Sequence, residues 1–344
     1  PLGTGTGKSW EALLQGRSGV GPITKFDASE FSVRIAAEVD DFVAEEWVSK
    51  KDLRKMDLFI PYALAASQMA LEDAGMDELP EEERRRTGVL IGSGIGGLNV
   101  MEREYRNLSE RGPRRISPFF IPAMIINLAS GHVSMKWGLK GPNSAVVTAC
   151  ATGAHAIGDA TRIIQRGEAD AMVAGGTEGV ICPLAVGGFA SMRALSTRND
   201  DPETASRPFS ADRDGFVIGE GAGIVILEEA ERARKRGARI YAEVAGYGMS
   251  GDAYHISAPH EEGHGAVQAM QAALDDAGLP PEQVGYINTH GTATPAGDVV
   301  EVRAVRRTFG DHADKLALNS TKSMIGHLLG AAGGAEAIVT ALTI

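Results

Sequence analysis

The alternation of helix-forming and strand-forming segments constrains the fold of this chain more than any other feature. Apolar residues at helical spacing occupy residues 10–16 and 60–75, and the short apolar run TGVLIGSG at 87–94 is typical of a buried strand. Residues 143–167 predict a strand, a turn and a long helix closed by Gly167, and residues 169–178 predict another strand. Such alternation predicts an α/β fold.

The second part of the chain continues this pattern and repeats the first. Residues 219–237 predict a strand and a charged helix, and residues 239–248 predict a further strand. MALEDAG resembles AALDDAG 203 residues later, GVLIGSG resembles GYINTHG 197 residues later, and VVTACATGAHA resembles LNSTKSMIGHLLGAAGG at an offset of 172 residues. We infer two similar βαβ-rich halves, residues 1–238 and 239–344, with chance similarity of Gly-rich segments as the alternative.

Composition excludes several classes of protein. The formal net charge of -11 argues against a nucleic-acid-binding protein, which needs a basic face to displace counterions from phosphates. No apolar run approaches the roughly 20 residues of a membrane span, so we predict no membrane segment. The two cysteines, Cys150 and Cys182, are too few for a disulfide scaffold and indicate a reducing, cytoplasmic location.

Three segments resemble ligand sites without meeting their requirements. PLGTGTGKSW at 1–10 has Leu2 where a P-loop needs glycine, and we interpret it as a turn entering a surface helix. GSGIGG at 92–97 follows a strand, but the acidic residue that a dinucleotide site needs about 20 residues later is absent. The spacing of the histidines in HISAPHEEGH fits no standard zinc signature. These histidines are His255, His260 and His264. We therefore predict no nucleotide, cofactor or metal site in any of the three segments.

Cys150 is the candidate nucleophile. It lies where the apolar run AVVTA ends and a helix begins, and the positive end of a helix dipole favours the thiolate. Free N–H groups of the same turn can stabilise an oxyanion on an acyl group carried by the sulfur. His290 ends a predicted strand, while Lys322 and His327 lie at the entry to a Gly- and Ala-rich helix. If the halves superpose, the Cys150 and Lys322–His327 segments converge, and one pocket is expected to hold all four side chains; a purely structural role for each is the alternative.

Three motifs around these residues resemble the signatures of β-ketoacyl-[acyl-carrier-protein] synthases, the condensing enzymes of fatty-acid synthesis. The motifs are VVTACATGAHA, YINTHGTATPAGD and NSTKSMIGHLLGAAG, and the resemblance extends over nearly the whole chain, closest to the elongating synthases of bacterial type II systems. It implies a thiolase-like fold with duplicated halves in five αβαβα layers, and a homodimer. It also implies a strand before residue 1 and a Gly-Phe-Gly-Gly gate after residue 344, so we expect this chain to be part of a longer enzyme.

The resemblance also implies an activity: decarboxylative Claisen condensation of an acyl-enzyme thioester with malonyl-acyl carrier protein, which elongates a fatty acid by two carbons. Cys150 corresponds to the acyl-accepting nucleophile, and His290 and His327 correspond to the pair that assists decarboxylation. Lys322 corresponds to the lysine that organises the site, paired with Glu336. The other positions carried over are Thr292 and Thr294 for the pantetheine arm, Phe189 and Ile95 for the acyl pocket, and Arg54, Lys55, Arg114, Arg115 and Arg193 for docking of the carrier protein.

Two other functions remain as alternatives. A thiolase would use CoA thioesters and a second catalytic cysteine, but Cys182 in VICPLAV lacks the Gly-rich setting that such a base needs. A chain-length-factor partner would be an inactive subunit of a heterodimeric synthase, but such partners lack the nucleophile that Cys150 supplies. The five docking positions have ordinary solvated surface as their alternative. The sequence leaves open the preferred acyl length and whether a monovalent cation binds near Asn288 and Glu336.

Overall fold

A computed structural model describes residues 1–344 of the chain. The strands are β1 (Gly21–Pro22), β2 (Ile35–Ala36), β3 (Thr87–Gly92), β4 (Asn143–Ser144), β5 (Ala171–Glu178), β6 (Gly221–Glu228), β7 (Tyr286–Asn288) and β8 (Ala317–Asn319). The helices are α1 (Thr6–Leu14), α2 (Lys50–Leu53), α3 (Phe59–Asp73), α4 (Glu81–Arg86), α5 (Leu98–Arg111), α6 (Phe120–Met124), α7 (Leu128–Trp137), α8 (Thr152–Gln165), α9 (Pro183–Ser191), α10 (Ala230–Lys235), α11 (His264–Ala277), α12 (Gly297–Phe309), α13 (Lys322–Ile325) and α14 (Ala332–Thr343).

The first half of the chain is built on a four-stranded sheet with the order β4-β3-β5-β6. Strand β3 is parallel to both β4 and β5, and β6 is antiparallel to β5. Every residue of β3 and β5 is buried. Because helices cover both faces of such a sheet, its strands appear in the sequence as continuous apolar runs, which is why these two strands were predicted correctly.

Successive residues of β3 point to the two faces of this sheet. Val89 and Ile91 pack with α3 and α7 on one face, whereas Leu90 packs with α8 on the other. Helix α14 lies beside α8 and contacts β5 and β6. Helices α8 and α14 therefore form the central layer of the molecule.

The second half places a parallel pair, β7 and β8, on the far side of this central layer. Asn288 of β7 donates a hydrogen bond to the Glu336 carbonyl oxygen of α14, at 3.4 Å. The outer face of the pair packs against α11 and α12, where Leu274 and Phe309 are buried. The layers thus alternate as α, β, α, β, α, which confirms the thiolase-like architecture expected from the sequence.

The two central helices show the duplication most clearly. Each follows a single 3-10 turn, Ala149–Ala151 before α8 and Leu329–Ala331 before α14. Each turn begins with a non-glycine residue at φ 50°, Ala149 and Leu329, which lie 180 residues apart. The sequence comparison matched these units at an offset of 172, so it paired the Cys150 segment with Lys322; in the fold, the counterpart of Cys150 is Gly330.

The backbones of helices α8 and α14 approach each other closely. A Cβ atom on Gly153 would lie 2.5 Å from the Gly334 nitrogen, and one on Gly333 would lie 2.4 Å from the Ala154 nitrogen. Real Cβ contacts are not this short, so glycine is required at both positions. This close approach brings the two preceding turns face to face.

One predicted strand is wrong. Residues 239–248 form no strand, and Ile240, Tyr241 and Val244 are exposed. The physical reason is that no other strand of the chain lies alongside to exchange backbone hydrogen bonds; the segment is held instead by contacts such as Tyr247 N–H with Asp276, at 2.8 Å. No helix of the structure combines the length and the apolar character needed to cross a membrane.

Candidate active site

Cys150 and His327 meet at the junction of the two halves. The Cys150 Sγ lies 2.9 Å from the His327 Nε2, although the residues are 177 positions apart. Cys150 sits in the turn before α8, and His327 precedes the turn before α14. Backbone pairing between His327 and Ile218, which leads into β6, holds the histidine segment against the first half. The convergence predicted from the sequence is therefore present.

His290 completes a three-residue cluster. Its ring lies edge-on to that of His327, with centroids 5.3 Å apart. Ligand-capable atoms of Cys150, His290 and His327 all lie within 4.8 Å of one another. A small acceptor such as a carbonyl oxygen can approach both imidazoles at once. The same three groups are chemically able to ligate a metal ion, but the nearby Lys322 ammonium opposes a cation there.

The tautomer of His327 is set by its own backbone. The Leu329 N–H donates to the His327 Nδ1 at 3.2 Å, so in the neutral ring the proton is assigned to Nε2. The Nε2–H then points at the Cys150 sulfur. A donor in this position stabilises a thiolate, or an oxygen that gains negative charge beside it.

Both imidazoles are neutral at pH 7. Burial, and after it the Lys322 ammonium, lower the pKa of His327 well below its usual range. Desolvation, and after it the Lys322 ammonium, also lower the pKa of His290, although this residue is exposed to solvent. Neutral histidines donate hydrogen bonds without needing a low pH, which suits them to stabilising an anion formed in the reaction.

The thiol departs from the expectation made from its helix position. Burial raises the pKa of Cys150, and the Lys322 ammonium lowers it only in part. The resting sulfur is therefore protonated more than a helix N-terminus alone would suggest. Desolvation has the larger effect on this pKa because the opposite half of the fold packs against the partly buried thiol, and the local sequence does not reveal that contact.

Lys322 is buried and forms an ion pair with Glu336, as expected from the sequence. The lysine begins α13, whereas the glutamate lies on α14. Burial raises the pKa of the Glu336 carboxyl, and the lysine beside it counteracts that rise. Close by, the Asn288 Oδ1 is buried without a hydrogen-bond partner. The Lys322 ammonium of this pair is the positive charge that acts on both histidines.

Two acidic residues of α12 that sequence reasoning missed hold the loop that carries His290. The Glu301 carboxylate accepts the backbone N–H groups of His290 and Gly291, at 2.6 and 2.7 Å. Asp298 accepts the Ala293 N–H at 3.1 Å. Both lie in the first turns of α12, shortly after the loop. The only signal in the sequence was that these acidic residues follow His290 by 8 and 11 positions. Carboxylates that accept backbone N–H groups have no short sequence motif, so this spacing did not identify them.

The two threonines assigned to the pantetheine arm lie in the same loop. The hydroxyl oxygens of Thr292 and Thr294 are 3.0 Å apart and share a hydrogen bond. Thr292 is buried, whereas Thr294 is half-buried. Hydroxyl groups so placed can turn towards a polar chain that enters beside His290.

The two residues assigned to the acyl pocket share one apolar cluster. Phe189 and Ile95 both pack against the buried core that contains Leu329. The ring of Phe189 lies edge-on to Phe216, at 5.4 Å between centroids, and Phe216 lies edge-on to His327, at 5.2 Å. An aromatic path thus leads from the apolar cluster to the histidine.

The basic residues assigned to docking lie on the surface. Lys55 pairs with Asp52 at 2.7 Å and lies over the Phe119 ring at 5.5 Å, which places it beside the 113–119 segment. The guanidinium groups have no carboxylate partner and are exposed. The exposed arginines are Arg54, Arg114, Arg115 and Arg193. Four of the five docking residues therefore lie in neighbouring segments, whereas Arg193 follows α9, away from the others.

The remaining candidates lie away from the cluster. Cys182 is buried at the start of α9, where burial raises the pKa of its thiol to about 12. His260 stacks on His264 with ring centroids 4.4 Å apart, and Asp252 accepts the His260 backbone N–H at 3.0 Å. The side chains of this histidine segment converge on no common point, and His255 accepts hydrogen bonds from its own turn.

Comparison with solved structures defines the class of protein. A β-ketoacyl synthase from Burkholderia phymatum has a TM-score of 0.89 and 37% identity, covering 98% of this chain and 81% of that chain. A type II PKS ketosynthase, solved with its acyl-carrier protein and bound to a hexaketide, also has a TM-score of 0.89, at 34% identity over 99% of this chain and 83% of its own. The fold is thus that of a ketosynthase.

The sequence comparisons identify the family. Residues 1–233 match the model of the β-ketoacyl synthase N-terminal domain, and residues 241–344 match that of the C-terminal domain. A 3-oxoacyl-[acyl-carrier-protein] synthase 2 from Coxiella burnetii is 56% identical over the whole chain and 83% of its own length. One from Staphylococcus aureus is 54% identical over the whole chain and 85% of its length. The chain belongs to the β-ketoacyl synthase family.

Proposed function

We propose that this chain catalyses the decarboxylative Claisen condensation of an acyl-enzyme thioester with malonyl-acyl carrier protein, elongating a fatty acid by two carbons. The observation that carries the proposal is the convergence of the Cys150 thiol with two neutral imidazoles from the opposite half. The family and the relatives named 3-oxoacyl-[acyl-carrier-protein] synthase 2 support it. They favour it over a thiolase and over an inactive chain-length partner.

The first half-reaction loads the enzyme. The Cys150 sulfur attacks the thioester carbonyl of an acyl carrier, the C–S bond to the carrier breaks, and the acyl group becomes attached to Cys150 while the proton of its thiol passes to the departing carrier thiolate. N–H groups of the turn before α8 are available to the tetrahedral oxyanion. The acyl chain then extends towards the cluster that contains Ile95 and Phe189.

The second half-reaction forms the carbon–carbon bond. Malonyl-carrier loses carbon dioxide, and the electron pair of the broken bond becomes an enolate whose oxygen accepts hydrogen bonds from His290 and His327. The enolate carbon attacks the acyl carbonyl, Cys150 leaves as thiolate and takes up a proton, and 3-oxoacyl-carrier is released. Lys322 remains cationic beside Glu336 and stabilises the negative charge without donating its proton.

The partners follow from the same site. We propose that an acidic carrier protein docks on the basic residues around Lys55 and 114–115, with Thr292 and Thr294 binding its pantetheine arm. We further propose a homodimer, because β4 is an edge strand with exposed residues and Val147 beside it is half exposed, at 51%. We propose a division into two halves at residue 238, and a cytoplasmic location, which the two free cysteines support.

Intact-mass spectrometry after incubation with an acyl-carrier thioester tests the assignment. Wild-type protein should gain one acyl group, the Cys150→Ala variant should gain none, and the matched Cys182→Ala variant should behave as wild type. Adding malonyl-carrier should then remove the acyl mass from the wild type and yield a carrier product longer by two carbons. Persistent acyl mass on Cys150→Ala would overturn the nucleophile assignment.

A further inference from the structure

A buried carboxylate outside the Cys-His-His cluster joins the two halves next to it. Glu178 ends β5, and its side chain is fully buried. The carboxylate accepts the Ser93 hydroxyl at 2.6 Å and the backbone N–H groups of Gly94 at 2.7 Å, Ile95 at 3.2 Å and Gly330 at 2.9 Å. All four partners are donors, so an ionised carboxylate satisfies every one of them.

The surrounding backbone is shaped to this one side chain. A Cβ atom on Gly94 would lie 2.8 Å from the Glu178 Oε2, and one on Gly330 would lie at the same distance from that oxygen. A Cβ on Gly330 would also lie 2.2 Å from the Gly94 nitrogen. Two loops from different halves thus approach one carboxylate closely, and only glycine fits at either contact.

Each loop leads to a different part of the proposed site. Residues Gly94 and Ile95 belong to the segment that presents Ile95 to the apolar cluster. Gly330 is the counterpart of Cys150 in the second half, and the preceding residue, Leu329, donates to the His327 Nδ1 at 3.2 Å. The Glu178 carboxylate therefore joins the Ile95 segment to the segment beside His327 through its own hydrogen bonds.

We infer that Glu178 is a positioning residue that fixes the distance between the Ile95 segment and the His327 segment, and thereby sets the preference of the enzyme for acyl-chain length. This inference rests on the proposed condensation. One methylene more or less in an apolar pocket changes discrimination between substrates by about 10-fold or more, so a shift of the pocket wall is expected to act on chain length. A purely structural carboxylate would instead affect all chain lengths equally.

The test compares Glu178→Gln with a matched control, Glu228→Gln. Both carboxylates belong to the β5–β6 pair, but Glu178 pairs with Gly221 at one end, whereas Glu228 pairs with Ala171 at the other. Glu228 is also largely buried and bonded, to Arg232 and Arg236. The amide of Glu178→Gln keeps the volume but turns a donor towards other donors.

The measurements are kcat/KM for a series of acyl-carrier thioesters from short to long, together with the unfolding midpoint of each protein. We expect Glu178→Gln to change the ratio of long-chain to short-chain kcat/KM by about 10-fold, and Glu178→Asp, which keeps the charge, to recover part of the ratio. Glu228→Gln should keep the wild-type ratio even if it is less stable.

Ser93→Ala keeps the inference open to refutation if Glu178→Gln does not fold. It removes one of the four donors and leaves the carboxylate bonded to the other three, so a smaller shift of the ratio in the same direction is expected. The inference would be overturned if every folded variant at Glu178 and Ser93 kept the wild-type ratio of long-chain to short-chain kcat/KM. It would also be overturned if kcat/KM fell equally for all chain lengths. Wild-type protein inactive with every thioester would instead refute the proposed condensation.

Discussion

The two cysteines of this chain occupy similar local positions and very different surroundings. Cys150 lies in the turn before α8, and Cys182 is the N-cap residue of α9. Burial raises the pKa of both thiols, that of Cys182 to about 12. Only Cys150 faces an imidazole, at 2.9 Å from His327; Cys182 lies in an apolar core. A helix N-terminus alone therefore does not make a nucleophile, and the partners supplied by the opposite half do.

Exchanging each sulfur for oxygen gives the largest expected contrast. Cys150→Ser should lower kcat/KM for condensation by about 10⁴-fold or more, because a serine hydroxyl without a base is a poor nucleophile and the residues of such a site act as a unit. Cys182→Ser, the matched control, should retain activity within about threefold and lose some stability through the buried hydroxyl. Steady-state kinetics with acyl- and malonyl-carrier thioesters measure both. Comparable losses in the two variants would erase the distinction between the sites.

Removing the histidines tests whether the partners make the difference. His290→Ala and His327→Ala should each lower the condensation rate by about 10²- to 10³-fold, the usual loss when one donor to an oxyanion is removed. Release of carbon dioxide from malonyl-carrier is the direct readout. Acylation of Cys150 should suffer more in His327→Ala, since His327 is the imidazole in contact with the sulfur. Equal acylation rates in the two variants would contradict this division of roles.

The charge beside Cys150 is the next difference between the two regions. Lys322 lowers the pKa of Cys150, so removing the ammonium should raise that pKa and reduce the thiolate fraction near neutral pH. The double variant Lys322→Met with Glu336→Gln avoids a lone buried charge. Alkylation by iodoacetamide at about pH 8 should slow by roughly threefold to tenfold, as expected for a pKa change of up to one unit.

Glu336→Gln alone serves as the control for that experiment. It leaves the ammonium unpaired, so the alkylation rate should not fall as it does in the double variant. Peptide mapping separates the two cysteines, and Cys182 should stay unmodified throughout because it is buried. Faster alkylation of Cys150 in the double variant would show that Lys322 does not favour the thiolate.

The smallest expected effect is on stability. The pKa of His327 is lowered in the folded chain, so below the free-imidazole value of about 6.5 the unfolded chain binds a proton that the folded chain does not. The free energy of unfolding should therefore fall as the pH falls, by up to about 1.4 kcal/mol per pH unit for this group. His327→Gln should flatten the slope in urea unfolding between about pH 7 and pH 5, whereas Cys182→Ser should not. An unchanged slope in His327→Gln would contradict the lowered pKa.

Patterns among neighbouring residues predicted the features of the fold that depend on neighbouring residues. The α/β order, the buried strands β3 and β5, and the positions of Cys150, His290, Lys322 and His327 at the ends of strands or the starts of helices all follow from runs of neighbouring residues. The meeting of the Cys150 and His327 side chains was predicted from the internal repeat. The offset of that repeat was wrong, because the loops that precede α8 and α14 differ in length.

What depends on distant neighbours could not be predicted in the same way. Residues 239–248 have the composition of a strand, but a strand needs a partner, and none lies alongside. The raised pKa of Cys150 comes from burial by the other half. Glu301, Asp298 and Glu178 were missed because they bond to backbone N–H groups, and any loop can present such groups whatever its sequence.

The contact of α8 with α14 through Gly153 and Gly333 gives the reaction centre its width. Because neither glycine has a Cβ atom, the two helices can approach closely enough for the Cys150 sulfur and the His327 imidazole to lie within hydrogen-bonding distance. A single methyl group at either position would force the two helices apart. Substitutions should thus be tolerated least along the contact between α8 and α14, although its residues take no part in the reaction.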